Sequence, residues 1–391
     1  MSPRLRGRGT PTAADARFMA RALELAARGV GRTWPNPPVG AVFVRNGRVV
    51  GEGFHAAAGG PHGEVAALLD AGDRARGAEL YVTLEPCTVH GRTPPCSDAM
   101  VALGLRRAVI ATTDPNPRVR GRGVRALRAA GVEVVVGPGH DEAQALIAGF
   151  RMRMTAGRPL VTLKLATTLD GRIAARGGDA RWITGPDARR LAHRLRDVHD
   201  AVLVGAGTVR ADDPRLTCRV PGGRDPVRVV LAGPRLDLPP RAQLLRPGGP
   251  PTWVVTTTAA DPPRSARLAR AGVEVITVPG RRGRAAFGDV ARALGARGLT
   301  TLLVEGGGEV AASALRAGVV DRLVLFVAPT LLGGDARPAI GALDVARVAD
   351  AVGLRDVTVG RAGRDLVVEA RVALRAGKPF ASPRRARYRK P

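Results

Sequence analysis

Residues 61–64 read Pro61-His62-Gly63-Glu64, and residues 84–96 read Leu84-Glu85-Pro86-Cys87-Thr88-Val89-His90-Gly91-Arg92-Thr93-Pro94-Pro95-Cys96. The chain holds three cysteines. Two of them fall here, each beside a proline and downstream of His-x-Glu. A free cysteine is usually a small buried hydrophobe, but one His and two Cys gathered this way match the nitrogen and sulfur donors that zinc takes, with a fourth position left for water. His62, Cys87 and Cys96 are the predicted metal ligands. Glu64 is not needed as a ligand and is the predicted catalytic proton carrier, as in zinc deaminases. His62 and Glu64 should open a helix, Cys87 should follow a strand, and Cys96 should open the next helix, where the N-terminus favours a thiolate.

The elements around this constellation alternate. Thr12 with Asp15 gives a capping box; Phe18, Ala22 and Leu25 form an apolar face, and Gly29 stops that helix. Ala41–Arg45 and Arg48–Phe54 flank Asn46-Gly47, a hairpin signal. Helices are predicted over His62–Ala71, Pro95–Leu103, Arg122–Ala130 and Asp141–Met154. Strands are predicted over Glu79–Leu84, Ala108–Thr112 and Val132–Val136. These complete an α/β domain over 13–155, and Thr155-Ala156-Gly157-Arg158-Pro159 reads as the joint. A second series, over 158–375, opens on the strand Leu160–Ala166 and the helix Pro186–Arg196. Strands follow at Ala201–Val204, Val227–Leu231, Thr252–Thr256 and Val273–Val278. A helix over Arg284–Leu294, a strand over Thr300–Val304, a helix after Gly308 and strands at Arg322–Val327 and Asp365–Ala373 close it. Strands separated by helices predict a mainly parallel sheet. Residues 1–12 and 376–391, rich in Arg, Pro and Gly, read as disordered basic tails.

A length of 391 residues suits two domains. With 45% hydrophobic but only 3% aromatic residues, the cores must rest on Ala, Val and Leu. The net charge of +27 raises the possibility of nucleic-acid binding. Lysine, however, occurs only at positions 164, 378 and 390, and the arginines are scattered except at the two ends, the distribution of a compositional bias. No nucleic-acid partner is therefore predicted, and a basic RNA-binding nucleoside deaminase is the alternative. Three cysteines do not make a secreted disulfide framework. No apolar run approaches the roughly 20 residues of a membrane span, and no signal-peptide pattern follows the N-terminal arginines. A cytoplasmic protein without membrane association is expected.

The second series carries its own markers. Lys164 is the single lysine outside the C-terminal tail, set in an apolar strand of a chain that otherwise uses Arg, which suggests a need for a compact ammonium. Val304-Glu305-Gly306-Gly307-Gly308-Glu309 reads strand, glycine turn, helix, a form suited to phosphate. Val204-Gly205-Ala206-Gly207-Thr208 is a second such junction without the Rossmann fingerprint. Two such turns in one domain suggest a dinucleotide.

Nucleic-acid and cytidine deaminases commonly show Pro-Cys-x-x-Cys; here eight residues separate Cys87 from Cys96. This long loop, with Asn36-Pro37-Pro38-Val39-Gly40 and Asp114-Pro115-Asn116-Pro117, resembles the deaminase of the bifunctional riboflavin-biosynthesis deaminase–reductase family. Arg181-Trp182-Ile183-Thr184, Gly205–Val209, Ala211-Asp212-Asp213-Pro214 and Glu305-Gly306-Gly307 resemble its reductase. The resemblance runs over about residues 14–375. It implies an α/β fold, with an N-terminal cytidine-deaminase-like three-layer domain and a C-terminal domain similar to dihydrofolate reductase. It implies Zn2+ and NADPH as cofactors, a phosphorylated pyrimidine as substrate, and a homo-oligomer. Zinc-dependent deamination of a diaminopyrimidinone ribosylamine 5′-phosphate would be followed by hydride transfer that yields the ribityl chain. By the same resemblance Asn36, Arg92 and Thr93 should contact the deaminase substrate. Ala166, Trp182, Thr208, Asp212, Gly307 and Gly308 should contact NADPH, and Lys164, Arg196, Leu216, Arg219 and Glu305 the reductase substrate. The chain departs from the family at Val89, usually His; at Gly63, usually Ala, where glycine is expected to loosen Glu64; at Ala180, commonly Ser; and at Ala232-Gly233, where an Asp-containing pair is usual. A reductase with an impaired deaminase is the alternative that Val89 and Gly63 raise.

Overall fold

The computed structural model describes residues 11–89 and 95–373. Most of the predicted tails, together with Arg92 and Thr93, lie outside the described residues. The chain divides into two compact units between Gly157 and Arg158.

The first unit opens with α1 (Ala13–Ala27) on the predicted capping box. Thr12 Oγ1 accepts from the Asp15 amide at 3.3 Å, and Asp15 Oδ2 accepts from the Thr12 amide at 2.8 Å. The hairpin β1 (Gly40–Arg45) and β2 (Arg48–Phe54) follows. Asn46 and Gly47 turn it with φ of 53° and 70°, the positive pair that matches strand twist. Then come α2 (Gly63–Ala71), β3 (Glu79–Val82), α3 (Cys96–Ala102), β4 (Arg107–Ile110), α4 (Arg122–Ala129) and β5 (Glu133–Val136). The expected helix over 141–154 is two helices, α5 (His140–Leu146) and α6 (Ala148–Ala156), which part at Ile147.

The sheet order is β2-β1-β3-β4-β5, with β3, β4 and β5 parallel and β1 antiparallel to both of its neighbours, β2 and β3. Both faces are buried, so side chains alternate between two cores. Phe43, Leu80, Val82 and Ile110 meet Ala67 of α2, Met100 of α3 and Leu127 of α4 on one side. Val42, Tyr81, Val109 and Val135 meet Phe18 and Met19 of α1 on the other. This is the three-layer arrangement the resemblance implies. Helix α2 lies very near the hairpin: a Cβ on Gly53 would stand 2.3 Å from the Ala67 amide nitrogen. That approach fixes where the start of α2, and with it His62 and Glu64, is held.

The second unit runs β6 (Leu160–Thr168), β7 (Arg172–Ala174), α7 (Pro186–Val198), β8 (Ala201–Gly205), α8 (Ala206–Asp212), β9 (Val227–Leu231), β10 (Thr252–Thr257), α9 (Pro262–Arg270) and β11 (Glu274–Val278). It continues through the short ribbon β12 (Gly280–Arg281) and β13 (Arg284–Ala285), then α10 (Phe287–Ala296), β14 (Thr301–Val304), α11 (Gly308–Arg316), β15 (Arg322–Ala328), β16 (Arg337–Pro338), β17 (Gly353–Ala362) and β18 (Asp365–Ala373). The main sheet order is β11-β10-β9-β8-β14-β6-β15-β18-β17. The pairs from β11 through β15 are parallel, as predicted, and β18 and β17 add an antiparallel edge.

Several elements differ from the sequence expectation, and the short β7, α8, β12, β13 and β16 were not predicted. The helix expected from Arg284 begins at Phe287, because Arg284 and Ala285 pair with Arg281 and Gly280. Helix α9, which opens on Asp261-Pro262-Pro263, was not predicted. Asp261 is its N-cap, accepting from the Arg264 amide at 2.9 Å, and the prolines occupy the first helical positions, where a missing N–H does no harm. Strand β17 is exposed along all but its last residue, so it lacks the alternation by which a half-buried strand is recognised.

Candidate active sites

In the first unit the predicted ligands converge from three elements. His62 is the N-cap of α2, Cys96 is the first residue of α3, and Cys87 lies in the segment after β3. His62 Nδ1 is 3.3 Å from Cys96 Sγ and 3.7 Å from Cys87 Sγ. All three donor atoms lie within 4.8 Å of one another. Two soft sulfurs and one imidazole nitrogen, with no carboxylate in the set, are a zinc donor set with a fourth position free for water. Hydrogen bonding from the Cys96 side chain, from His62 and from the Cys96 amide, 3.4 Å away, holds the Cys87 thiol down to about 4 despite its burial. The thiolate is the form a metal binds. Glu64 follows on the first turn of α2 and is 4% exposed. Burial pushes its carboxyl up to about 7, aided by the Cys87 charge. A carboxyl balanced near neutrality can both take and return a proton.

His62, Glu64 and Cys87 line a cleft of about 230 Å³, bordered also by Asn36, Val89, Asp114, Asn116, Phe150 and Arg153. Asn36 stands where the sequence reading put it. Its partner His55 was missed. His55 is 1% exposed, and its Nδ1 lies 2.8 Å from the Pro61 carbonyl, so Nδ1 carries the proton. Its Nε2, 3.2 Å from Asn36 Nδ2, then accepts from the amide, which turns Asn36 Oδ1 away from the ring. A lone His preceding a Gly/Ala-rich stretch gave no signal of this; only the turn at Pro61 brings it into place. Asp114, from the quoted Asp-Pro-Asn-Pro segment, also borders the cleft, and burial pushes its carboxyl up to about 6. Val89 borders the cleft where the family carries His.

In the second unit two adjoining clefts, of about 430 and 530 Å³, share Lys164, Ala166, Ala180 and Asp212 in their walls. They open beyond the carboxyl ends of β6, β8 and β14, where parallel sheets bind ligands. Thr208, Glu305, Gly307 and Gly308 border the larger one. Trp182, Arg196, Leu216 and Arg219 border the smaller. Every residue expected to contact NADPH or the reductase substrate therefore lines one of the two, whereas Ala232 and Gly233 line neither. The glycine turns meet here: the Gly307 amide donates to Thr208 Oγ1 at 3.3 Å. A Cβ on Gly308 would stand 2.8 Å from the Pro338 carbonyl oxygen, so no larger residue fits that turn. Trp182 is 66% exposed, with the Arg189 guanidinium 4.6 Å from its ring centre.

Arg196 is bound up more closely than a surface arginine. Its Nε and Nη2 fork onto the Glu305 carboxylate, each at 2.8 Å, and Nη1 donates to the Thr217 carbonyl at 2.9 Å. Burial works against the Glu305 carboxylate, but the charges of Arg196 and Lys164 overcome it and hold the pKa at about 2. Lys164 is itself pushed down by burial and partly restored by Glu305. Its Nζ stands 5.6 Å from the Phe326 ring centre. The sequence pointed to each of these residues separately; their assembly into one charge cluster comes from β6 and β14 lying side by side.

A zinc-deaminase unit in front of a parallel-sheet unit with a glycine-walled, charge-lined cleft defines a two-domain enzyme of the deaminase–reductase class. Family matches agree: residues 12–112 match the cytidine and deoxycytidylate deaminase zinc-binding region, and residues 159–368 match the RibD C-terminal domain. The riboflavin biosynthesis protein RibD of Aquifex aeolicus is 43% identical over 90% of this chain and 97% of its own. That of Escherichia coli is 40% identical over 90% and 98%. Among solved structures, Acinetobacter baumannii RibD superposes with a TM-score of 0.83 at 36% identity over 92% of this chain and 99% of its own. A diaminohydroxyphosphoribosylaminopyrimidine deaminase/5-amino-6-(5-phosphoribosylamino)uracil reductase from Thermotoga maritima does so with 0.81 at 38% identity, over 92% and 99%. The chain belongs to the RibD family of riboflavin biosynthesis. The zinc and NADPH of the sequence reading are the cofactors of these two domains, and among the described residues no helix is long and apolar enough to cross a membrane.

Proposed function

We propose that the chain performs two consecutive reactions on a phosphorylated pyrimidine. The first releases ammonia from a diaminopyrimidinone ribosylamine 5′-phosphate. The second reduces the ribosyl group of the resulting phosphoribosylamino-uracil to a ribityl chain with NADPH. The observation that carries this reading is the meeting of His62, Cys87 and Cys96 within 4.8 Å beside the buried Glu64, in a chain that also holds the Lys164–Glu305–Arg196 cleft. His62, Cys87 and Cys96 would hold zinc, which would supply a nucleophile at neutral pH by acidifying water. Glu64 carries one proton from the attacking water to the ring nitrogen, and then the remaining hydroxyl proton to the amino group, which leaves as ammonia while the carbonyl forms. Asn36, oriented by His55, holds the pyrimidine; Arg92 and Thr93 stand for the phosphate grip. In the reductase, Ala166, Trp182, Thr208, Asp212, Gly307 and Gly308 seat the cofactor, whose own chemistry is the hydride. Lys164, Arg196, Leu216, Arg219 and Glu305 seat the substrate. We place the enzyme in the cytoplasm, as a homo-oligomer without a nucleic-acid partner.

The test follows ammonia release and NADPH oxidation separately in one anaerobic assay. Glu64→Gln should abolish ammonia release while leaving NADPH oxidation intact when the reductase receives its own substrate directly. Wild type that oxidises NADPH but releases no ammonia would establish the impaired-deaminase alternative, for which Val89 on the cleft wall is the motive. Loss of both signals in Glu64→Gln, with the reductase substrate supplied, would refute the division of labour.

A further inference from the structure

Helix α7 turns Arg189, His193 and Arg196 to the smaller reductase cleft, spaced at about one helical turn. The two arginines are committed. Arg189 Nη1 donates to the Thr184 carbonyl at 2.7 Å, and its guanidinium covers Trp182. Arg196 forks onto Glu305 and holds the Thr217 carbonyl. His193 lies between them and makes no side-chain hydrogen bond to another side chain. Its Nδ1 is shut away from solvent without a hydrogen bond of ordinary geometry, the Thr217 backbone being the ring's polar neighbour. His193 borders the cleft, and with Nδ1 shut away Nε2 is the ring nitrogen left for a ligand. The helix beneath it is pinned, since Cys218 Sγ donates to the His193 carbonyl at 3.5 Å.

The surroundings decide what this nitrogen can do. Burial, then the charges of Arg196 and Arg219, lower the imidazole pKa and favour its neutral form. A neutral imidazole in a cationic wall offers what arginine and lysine lack, a nitrogen that can accept from a hydroxyl as well as donate to an oxyanion. A sugar phosphate presents both groups side by side; a pyrimidine ring presents neither.

We propose that His193 is a substrate-binding residue of the reductase, its Nε2 hydrogen-bonding the sugar-phosphate portion of the substrate next to Arg219. The proposal rests on the two-step reading above. It is tested by NADPH oxidation with the reductase substrate supplied directly, in wild type, His193→Ala and His193→Gln. In His193→Ala the KM for that substrate should rise by roughly tenfold or more, the size of one lost hydrogen bond to a charged or hydroxyl group. The KM for NADPH and the rate of ammonia release should stay at the wild-type level. His193→Gln, which keeps a polar amide in reach, should recover most of the loss. An unchanged substrate KM in His193→Ala overturns the proposal, as does a parallel rise in the KM for NADPH, the mark of a deformed cleft. Failure of the wild type itself to oxidise NADPH is a different result, which removes the two-step reading and this proposal with it.

Discussion

A methyl group at Gly63 would stand 2.6 Å from the carbonyl oxygen of Val39 and 3.0 Å from its carbon. Both are backbone atoms at the entry to β1 and cannot swing aside. The absence of a side chain between His62 and Glu64 therefore serves close packing, and the expectation that glycine here loosens Glu64 is corrected by the contact. Helix propensity alone favours alanine over glycine by about 1 kcal/mol, whereas forcing an extra carbon into a packed site is unfavourable by typically 1–3 kcal/mol. Gly63→Ala should thus lose stability, and the displaced start of α2 should slow ammonia release without touching NADPH oxidation. Thermal unfolding of the variant decides it: a raised midpoint would show that Val39 withdraws freely and that glycine is only a local weakness. The same residue scale explains why His55 stayed hidden. Its role depends on a 2.8 Å contact with the Pro61 carbonyl, and no spacing of residue types announces which ring nitrogen is left to receive Asn36.

Elements were legible where their ends are marked in their own sequence, and obscure where the marking comes from elsewhere. The Thr12 capping box and the Asn46-Gly47 turn carry their signals locally, and both stand in the structure as read. Helix α4 begins at Gly121 without a cap from its own N-cap side chain. Its free amides are met instead by Glu85, beyond the end of β3. One carboxylate oxygen accepts from the Val124 amide at 3.1 Å, and the other from Gly121 at 2.8 Å and Asp114 at 3.0 Å. Glu85 thereby ties the start of α4 and the Asp114–Asn116 wall of the cleft to the strand that leads into Cys87. Read in sequence, Glu85 was only a neighbour of the cysteine motif. Three buried amides would lose their acceptor in Glu85→Ala, and each uncompensated one costs about 1–3 kcal/mol. That variant should unfold at a clearly lower denaturant concentration, and its ammonia release should fall even where it remains folded. Glu85→Gln keeps one acceptor oxygen and should lie between. Equal stability of all three proteins would mean that water replaces the carboxylate and that the tie is incidental.

At the scale of the whole molecule, the two chemistries are carried by separate stretches of chain. His62, Glu64, Cys87 and Cys96 precede Gly157, and every reductase residue from Lys164 to Gly308 follows Arg158, the point where the two compact units divide. The metal donors come from the N-cap of α2, the segment after β3 and the first residue of α3, so a bound ion ties three elements of the first unit and none of the second. Affinity for the ion is then folding free energy of the first unit alone. Chelation should abolish ammonia release and make residues 11–157 more susceptible to protease and hydrogen exchange. NADPH oxidation with the directly supplied substrate should persist at close to its starting rate, because no donor atom lies in the second unit. Readdition of zinc should restore ammonia release in proportion to the metal regained. If chelation instead removed NADPH oxidation in step with ammonia release, the two sites would depend on one another, and the assignment of the metal to the deaminase alone would have to be given up.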